Sequence, residues 1–482
     1  MFEYLLDLVD GPVAATAFHL GAEPADRVDR GEFAADIVRL AVDLPTPGGP
    51  GDGAAWVAVR DRYLFAVATI AALRGRSAAL VERDGPLATF DALAAACPPA
   101  LVLCDDPDSG ASRWAVARGV RVHVLTGARD GDRPVGRLSG SAVAGTVLHF
   151  FSSGTTGPVK CVGVNRAHLS AAISGVIGRL SLTAEDISLS IAPLTHTLGF
   201  VTGVLAALGA GGAVAFADPG RARQLREIVT DVGPSWCAAS PSGHALVHTL
   251  VHDGGLRWRA LRFLRASAGP LPDELVDDVE RHFGVPLINA YAMTEAPGEI
   301  ASQDLVGVRR LGTVGRPSLC EVDVRGAGGS APAAGGGEVW IRGPNVATAA
   351  RAGDWVRTGD VGLLDDAGFL RLTGRIHDVI NQGGLKVWPP EVEAAARLHP
   401  SVRAAVAFPI PHKGLGETVG LAVVPRAGEV VERSSVRRLL MAELPREKWP
   451  STIVICDRVP LNGRGKIDRR GLSSALRLDP LT

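Results

Sequence analysis

The sequence predicts an α/β protein in which a large domain of helix-covered sheets is followed by a small α+β domain. Three observations carry that expectation. At 482 residues the chain exceeds one ordinary domain. Through about residue 320, short Val/Ile/Leu/Ala runs alternate with helix-like stretches, the pattern of parallel strands with crossover helices. From about Arg375 the alternation gives way to a compact set of two helices and three strands.

The strand runs are ALVLCDD, VRVHVLT, TVLHFFSS, GAVAFAD, LRFLRAS and VPLINAY, taken in chain order. Residues 326–337, rich in Gly, Ala and Pro, read as a flexible hairpin loop, because strand-like sequence continues in GEVWIRG. The C-terminal set comprises a proline-started helix at PPEVEAAARLH, strands VRAAVAFPI and ETVGLAVVP, a serine-capped helix SSVRRLLMAEL, and the strand STIVICDRVP. The expected domains are residues 1–374 and 375–482.

Composition narrows the function classes. A hydrophobic share of 46% with 21% charged residues is that of a soluble globular protein, and a formal net charge of -1 offers no footprint for nucleic acid. Residues 197–217 carry no charge and are long enough to cross a bilayer, but Gly209, Gly211 and Gly212 divide them into a buried helix, a turn and a strand, so no membrane span is expected. The six cysteines form no CxxC pair and no Cys/His cluster at zinc spacing, and MFEYLLDLVDGP lacks the basic start of a signal peptide. A reducing, cytoplasmic location without a disulfide frame or structural metal is the expectation.

The segment FFSSGTTGPVK turns these bounds toward chemistry. A strand ends in Ser152, Ser153, Gly154, Thr155, Thr156 and Gly157, a composition that lets backbone amides and hydroxyls converge on an anion, and Lys160 adds a point charge suited to phosphate oxygens. The chain has five lysines against forty-five arginines, so each lysine is a candidate for a role that arginine cannot fill. Two of the five, Lys160 and Lys466, sit in glycine-rich loops. The GxxxxGK[ST] nucleotide loop is excluded, since Val159 and Cys161 flank Lys160.

SSGTTGPVK resembles the phosphate-binding signature of the adenylate-forming superfamily, with Pro158 and Val159 exchanged relative to the usual order. PLTHTLGF (193–200) is similar to the family's acyl-pocket motif and puts His196 at the substrate site. NAYAMTEA (289–296) resembles the YGxTE motif, with Ala292 in place of Gly. That likeness implies Tyr291 stacking on adenine, Thr294 contacting phosphate and Glu295 coordinating Mg²⁺. WVRTGDVG (355–362) resembles the TGD motif, which implies that Asp360 holds the ribose diol; a carboxylate can accept both hydroxyl hydrogen bonds. LTGRIHDVINQGGLKVWPPEVE (372–393) resembles the hinge segment, with Arg375 at the ribose, His377 at the hinge, and Gly383 and Gly384 along a pantetheine path. PLNGRGKIDR (460–469) resembles the loop of the catalytic lysine, here Lys466.

The resemblance implies an α/β fold whose large N-terminal domain includes a small β-barrel-like part, and whose small C-terminal domain is mobile. It implies an AMP-forming acid–thiol ligase that uses ATP and Mg²⁺ and passes an acyl-adenylate to CoA or to a phosphopantetheine carrier. Lys466, Thr294 and His196 are the implied catalytic residues, and an acyl carrier protein is a partner to test. Amino-acid-activating members place an Asp in the acyl-pocket motif, and Leu194, Thr195 and His196 supply no such carboxylate, so a small aromatic or short acyl acid is expected over an amino acid. The stretch DRYLFAVATIAALRG resembles stand-alone ligases of bacterial secondary metabolism, which implies that setting. Two other readings stand beside it: activation of nitrite to diazotise an arylamine, and a non-catalytic nucleotide-binding module. Histidine titrates near neutrality, so His377 at the hinge also carries the expectation of pH-sensitive domain alternation.

Overall fold

A computed structural model describes residues 14–44, 53–125, 145–153, 159–252, 255–326, 336–348, 354–460 and 467–479. It divides into two compact units: Met1–Val322 with Ile341–Val356 and Asp366–Leu370, and Asp323–Trp340 with Arg357–Asp365 and Arg371–Thr482.

Two sheets build the first unit. One has nine strands, in the order Arg316–Pro317, Ala296–Ser302, Leu287–Met293, Phe263–Ala266, Trp236–Ala239, Ile187–Ser190, Ala213–Phe216, Thr16–His19, Arg27–Asp29. Its six central strands pair in parallel, and antiparallel strands close both edges. The other has six strands, in the order Arg121–Val124, Pro99–Cys104, Ala54–Ala58, Ala78–Leu80, Thr146–Ser153, Val159–Asn165, antiparallel only at the last pair. The alternating apolar runs of the sequence are therefore strands of these two sheets.

One core cluster draws on both sheets, with Val57 and Leu148 from the six-stranded sheet and Val214 and Ile288 from the nine-stranded one. The helix Arg62–Ala72 joins it. Asp61 caps the helix by accepting from the Leu64 amide. Phe65, Ala66, Val67 and Ile70 are all buried, so the helix is apolar almost all round, as a helix enclosed by other elements must be. The uncharged stretch 197–217 folds as a π-helical segment Leu198–Leu205, a short helix Ala206–Gly209 and the strand Ala213–Phe216. Among the described residues no helix is long and apolar enough to cross a membrane.

In the second unit, strands Leu385–Val387, Ile380–Gln382, Gly416–Pro425 and Val402–His412 pair in that order, with Thr452–Ile455 parallel to Gly416–Pro425. Helices Pro389–Arg397 and Arg433–Glu443 contribute Val392, Ala396, Val436 and Leu440 to its core. The second helix corrects one expectation: its N-cap is Glu432, not serine. Ser435 Oγ instead donates to the Glu432 carbonyl and Ser434 Oγ to the Glu432 carboxylate, so both hydroxyls are used just inside the helix start. A four-stranded sheet, Glu321–Arg325, Gly337–Arg342, Val356–Leu364 and Leu370–Arg375, has residues in both units.

Candidate active site

The phosphate-loop candidate is a hairpin between Thr146–Ser153 and Val159–Asn165, with Ser152 opposite Lys160 and Ser153 opposite Val159. Residues directly opposite in an antiparallel pair share a face, so Ser152 and Lys160 stand together beside the turn. Lys160 is exposed and Ser152 half-buried. Gly154, Thr155, Thr156 and Gly157 lie outside the described residues, as do the N-terminal segment, most of the 326–337 loop and Lys466.

Pleating puts the next residue on the other face, where three distant side chains meet. Cys161 Sγ lies 3.4 Å from His149 Nδ1, and His149 Nε2 lies 3.0 Å from Ser77 Oγ. Cys97 completes a group whose ligand atoms all fall within 4.8 Å of one another. The Cys97 thiol donates toward Cys161, which draws the Cys161 pKa below that of an ordinary thiol while Cys97 is pushed up. Spacing alone could not find this group, because its members come from a helix end and two strands.

Tyr291, Thr294 and Glu295 occupy a second hairpin. Met293 pairs with Ala296, leaving Thr294 and Glu295 as a two-residue turn between Leu287–Met293 and Ala296–Ser302. Neither turn residue has positive φ, so this is not one of the mirror-image turns that match strand twist, and the ladder shifts register between Tyr291 and Met293. The Ala347 amide donates to the Glu295 carbonyl at 2.8 Å and fixes the turn from outside. Tyr291 is buried, and the Glu295 side chain is half-exposed. Ala292 keeps ordinary negative φ, so its methyl requires no glycine-like backbone.

His196 is exposed at the start of the π-helical segment, and its carbonyl accepts from the Phe200 amide at 3.0 Å. The two residues after it, Thr197 and Leu198, line a cavity of about 30 Å³ together with Thr202, Arg265, Ser267, Ala268, Ala292 and Gly298. Arg265 and its partner Glu299 escaped the sequence reading. The available signal was an arginine inside the apolar strand LRFLRAS.

In the second unit Asp360 is buried and accepts from Arg375 Nε at 2.9 Å, while Arg375 is more than half exposed. Gly359, with φ of 73°, turns the strand just before Asp360, and the Thr358 hydroxyl accepts from the Asp360 amide at 3.0 Å. His377 sits in the 3₁₀ turn Ile376–Asp378. Arg470 holds this turn through the His377 carbonyl at 3.0 Å and the Val379 carbonyl at 3.3 Å. Gly383 and Gly384 form the turn between paired Gln382 and Leu385 with φ of 61° and 91°, the double positive φ of a type I′ turn. That requirement explains both glycines by backbone geometry.

The AMP-binding enzyme family matches residues 137–349, and the AMP-binding enzyme C-terminal domain matches residues 391–466. A 3-[(3aS,4S,7aS)-7a-methyl-1,5-dioxo-octahydro-1H-inden-4-yl]propanoyl:CoA ligase of Mycobacterium tuberculosis is 31% identical over 504 residues, covering 96% of this chain and 92% of that one. This chain belongs to the adenylate-forming superfamily of AMP-binding enzymes. The oxalate–CoA ligase of Arabidopsis thaliana is 34% identical to this adenylate-forming chain over 339 residues. The match covers 67% of the chain and 66% of that enzyme, so the chain spans about two thirds of the length of such curated relatives. The fold is that of ATP-bound MatB from Rhodopseudomonas palustris, with a TM-score of 0.86, 21% identity and 98% of each chain covered.

Proposed function

We propose that the chain is an AMP-forming acid–thiol ligase. A carboxylate attacks the α-phosphorus of ATP, giving an acyl-adenylate and pyrophosphate; a thiol of CoA or of a carrier protein's phosphopantetheine then takes the acyl group and releases AMP. The single observation that carries the reading is the Ser152–Lys160 register pair, which sets a hydroxyl and an ammonium on one face next to the Ser/Thr/Gly segment. Residues of that composition with a lysine suit the β- and γ-phosphates that leave together.

The chain's own residues do the remaining work by positioning and charge. Tyr291 would flank the adenine, Thr294 the α-phosphate, and Asp360 with Arg375 the ribose. Lys466 would bridge the two anions brought together in the first step, where their repulsion is greatest. A half-exposed carboxylate in a two-residue turn suits Mg²⁺, which is held by one or two carboxylates plus substrate phosphates, and Glu295 is that carboxylate. The ion would supply charge neutralisation on the phosphates when bound.

Residues 375–482 form the mobile domain in this reading, turning at His377 to exchange Lys466 for the Gly383–Gly384 segment along which pantetheine passes. His196 borders the acid. The substrate is a small aromatic or short acyl acid of bacterial secondary metabolism, activated in the cytoplasm.

Pyrophosphate release by the purified protein across aryl, short acyl, fatty and amino acids and nitrite tests the proposal. Release with a carboxylic acid, abolished in Lys466→Ala and followed by AMP release on adding CoA or a carrier protein, is expected. Release with nitrite alone would establish the oxyacid reading, and release with none would favour a binding module.

A further inference from the structure

Arg265 is fully buried in the strand Phe263–Ala266, in the first unit. Among the described residues only its Nη2 is engaged: it donates to the Gly298 carbonyl at 2.9 Å and reaches Glu299 Oε2 at 3.4 Å. Nε and Nη1 have no hydrogen-bond partner among the described residues. Three N–H bonds of a buried guanidinium are thus without an acceptor, an arrangement that costs free energy unless something fills it.

Glu299 does not neutralise Arg265 alone. It is almost fully buried on the strand Ala296–Ser302, and its Oε1 accepts from Ser318 Oγ and lies 3.7 Å from Arg179 Nε. Arg179 also pairs with Asp304 at 2.9 Å, and Asp304 pairs with Arg316 at 3.4 Å. Three guanidinium groups therefore share two carboxylates. His244, whose Nε2 lies 2.9 Å from the Arg265 carbonyl, is kept neutral by burial and adds no charge. Among the described residues the guanidiniums of this network exceed its carboxylates by one, with Arg316 partly open to solvent.

Arg265 lines the small cavity with Thr197, Thr202 and Ala268. Ala268, which lines the same cavity, has φ of 68°, a strained value for a residue other than glycine. About 30 Å³ admits a water or the head of one small group, not an aromatic ring.

We propose that Arg265 is the specificity-determining residue of the acid site: it receives a second anionic group, a carboxylate or sulfonate, at the far end of a compact acid whose first carboxylate is activated. This rests on the ligase reading and narrows it from small acids in general to bifunctional acids of two to four carbons. The second anion accepts from Nε and Nη1 and supplies the missing counter-charge, whereas a monoacid of equal length leaves both nitrogens empty.

The test compares oxalate, malonate, succinate and sulfoacetate with acetate and propionate in pyrophosphate release by the full chain. A kcat/KM advantage of about tenfold or more for at least one bifunctional acid is expected, carried mainly by KM. Arg265→Met should erase it, raising the KM for the bifunctional acid to that for the monoacid of equal length. Removing one member of a buried pair can unfold a protein, so Arg265→Met/Glu299→Gln, which removes both charges, is measured beside it. Binding is read independently of turnover as the rise in thermal midpoint with the same acids, expected in the wild type and lost in the double variant. Equal turnover of mono- and bifunctional acids, or a preference surviving in the double variant, overturns the role of Arg265 and leaves the ligase reading standing. Absence of pyrophosphate release with every acid, alongside stabilisation that requires Arg265, sinks the ligase reading and retains the anion site. Absence of both overturns both.

Discussion

Arg375 donates from Nε to Asp360 Oδ1 at 2.9 Å, so a buried carboxylate is oriented by an arginine from the end of the next strand. If Asp360 holds the ribose diol, Asp360→Asn, which can accept through only one oxygen, should weaken ATP binding about tenfold. Calorimetric titration of ATP into wild type and variant measures this. Equal affinities would remove the ribose assignment.

The two lysines should separate by step. Lys160→Ala is expected to weaken binding of ATP and pyrophosphate by about tenfold, as loss of a charge-assisted contact does. Lys466→Ala is expected to leave ATP affinity within about threefold while lowering adenylation by about 10³-fold, the scale of a lost transition-state charge partner. Binding titration together with single-turnover adenylate formation distinguishes them, and matching defects in both variants would merge the two roles.

Two buried imidazoles make stability fall with acid. Burial and then the charge of Arg27 push His19 down to about 4, and burial does the same to His244. An unfolded histidine takes up its proton near pH 6.5, so the contribution of each is complete above that value and declines as pH falls toward about 4, by about 3 kcal/mol per group. Urea midpoints measured from pH 7 to pH 4.5 should drop, and His244→Gln should flatten the slope by about one proton. Parallel slopes for variant and wild type would contradict the assignment.

Cys161 should react before the other five thiols. Its thiolate is favoured by the Cys97 thiol and the His149 ring, whereas the hydrogen bond to Cys161 and then burial raise Cys97, and burial raises Cys104, Cys237, Cys320 and Cys456. Brief alkylation at pH 6.5 followed by peptide mass mapping is expected to label Cys161 first, with Cys97→Ala slowing it about tenfold. Uniform labelling, or first labelling elsewhere, would refute the pairing.

Much of the fold was legible because strands and helices repeat their apolar residues with different periods. The runs around Leu101, Leu148 and Val214 needed only local information, and the residue order of the hairpin at Ser152 was equally local. The serine cap failed because Ser434, Ser435 and Glu432 compete for one helix start, and only the folded backbone decides between them. The buried Arg265 and the Cys97–His149–Cys161 group were hidden for another reason: each depends on which elements meet in the fold, Arg265 reaching Gly298 and Glu299 from another strand and Cys97 reaching His149 and Cys161 from a helix end.

The Ser152–Lys160 register also tells an engineer where this chain will accept a change of length. One residue inserted among 154–158 falls between the paired strands and leaves their register as it is. The same insertion between Val159 and Lys160 slips the frame, exchanging ammonium for thiol on the face that now carries Ser152. The plain-looking strand, more than the glycine-rich turn before it, is therefore where an insertion library would erase the site.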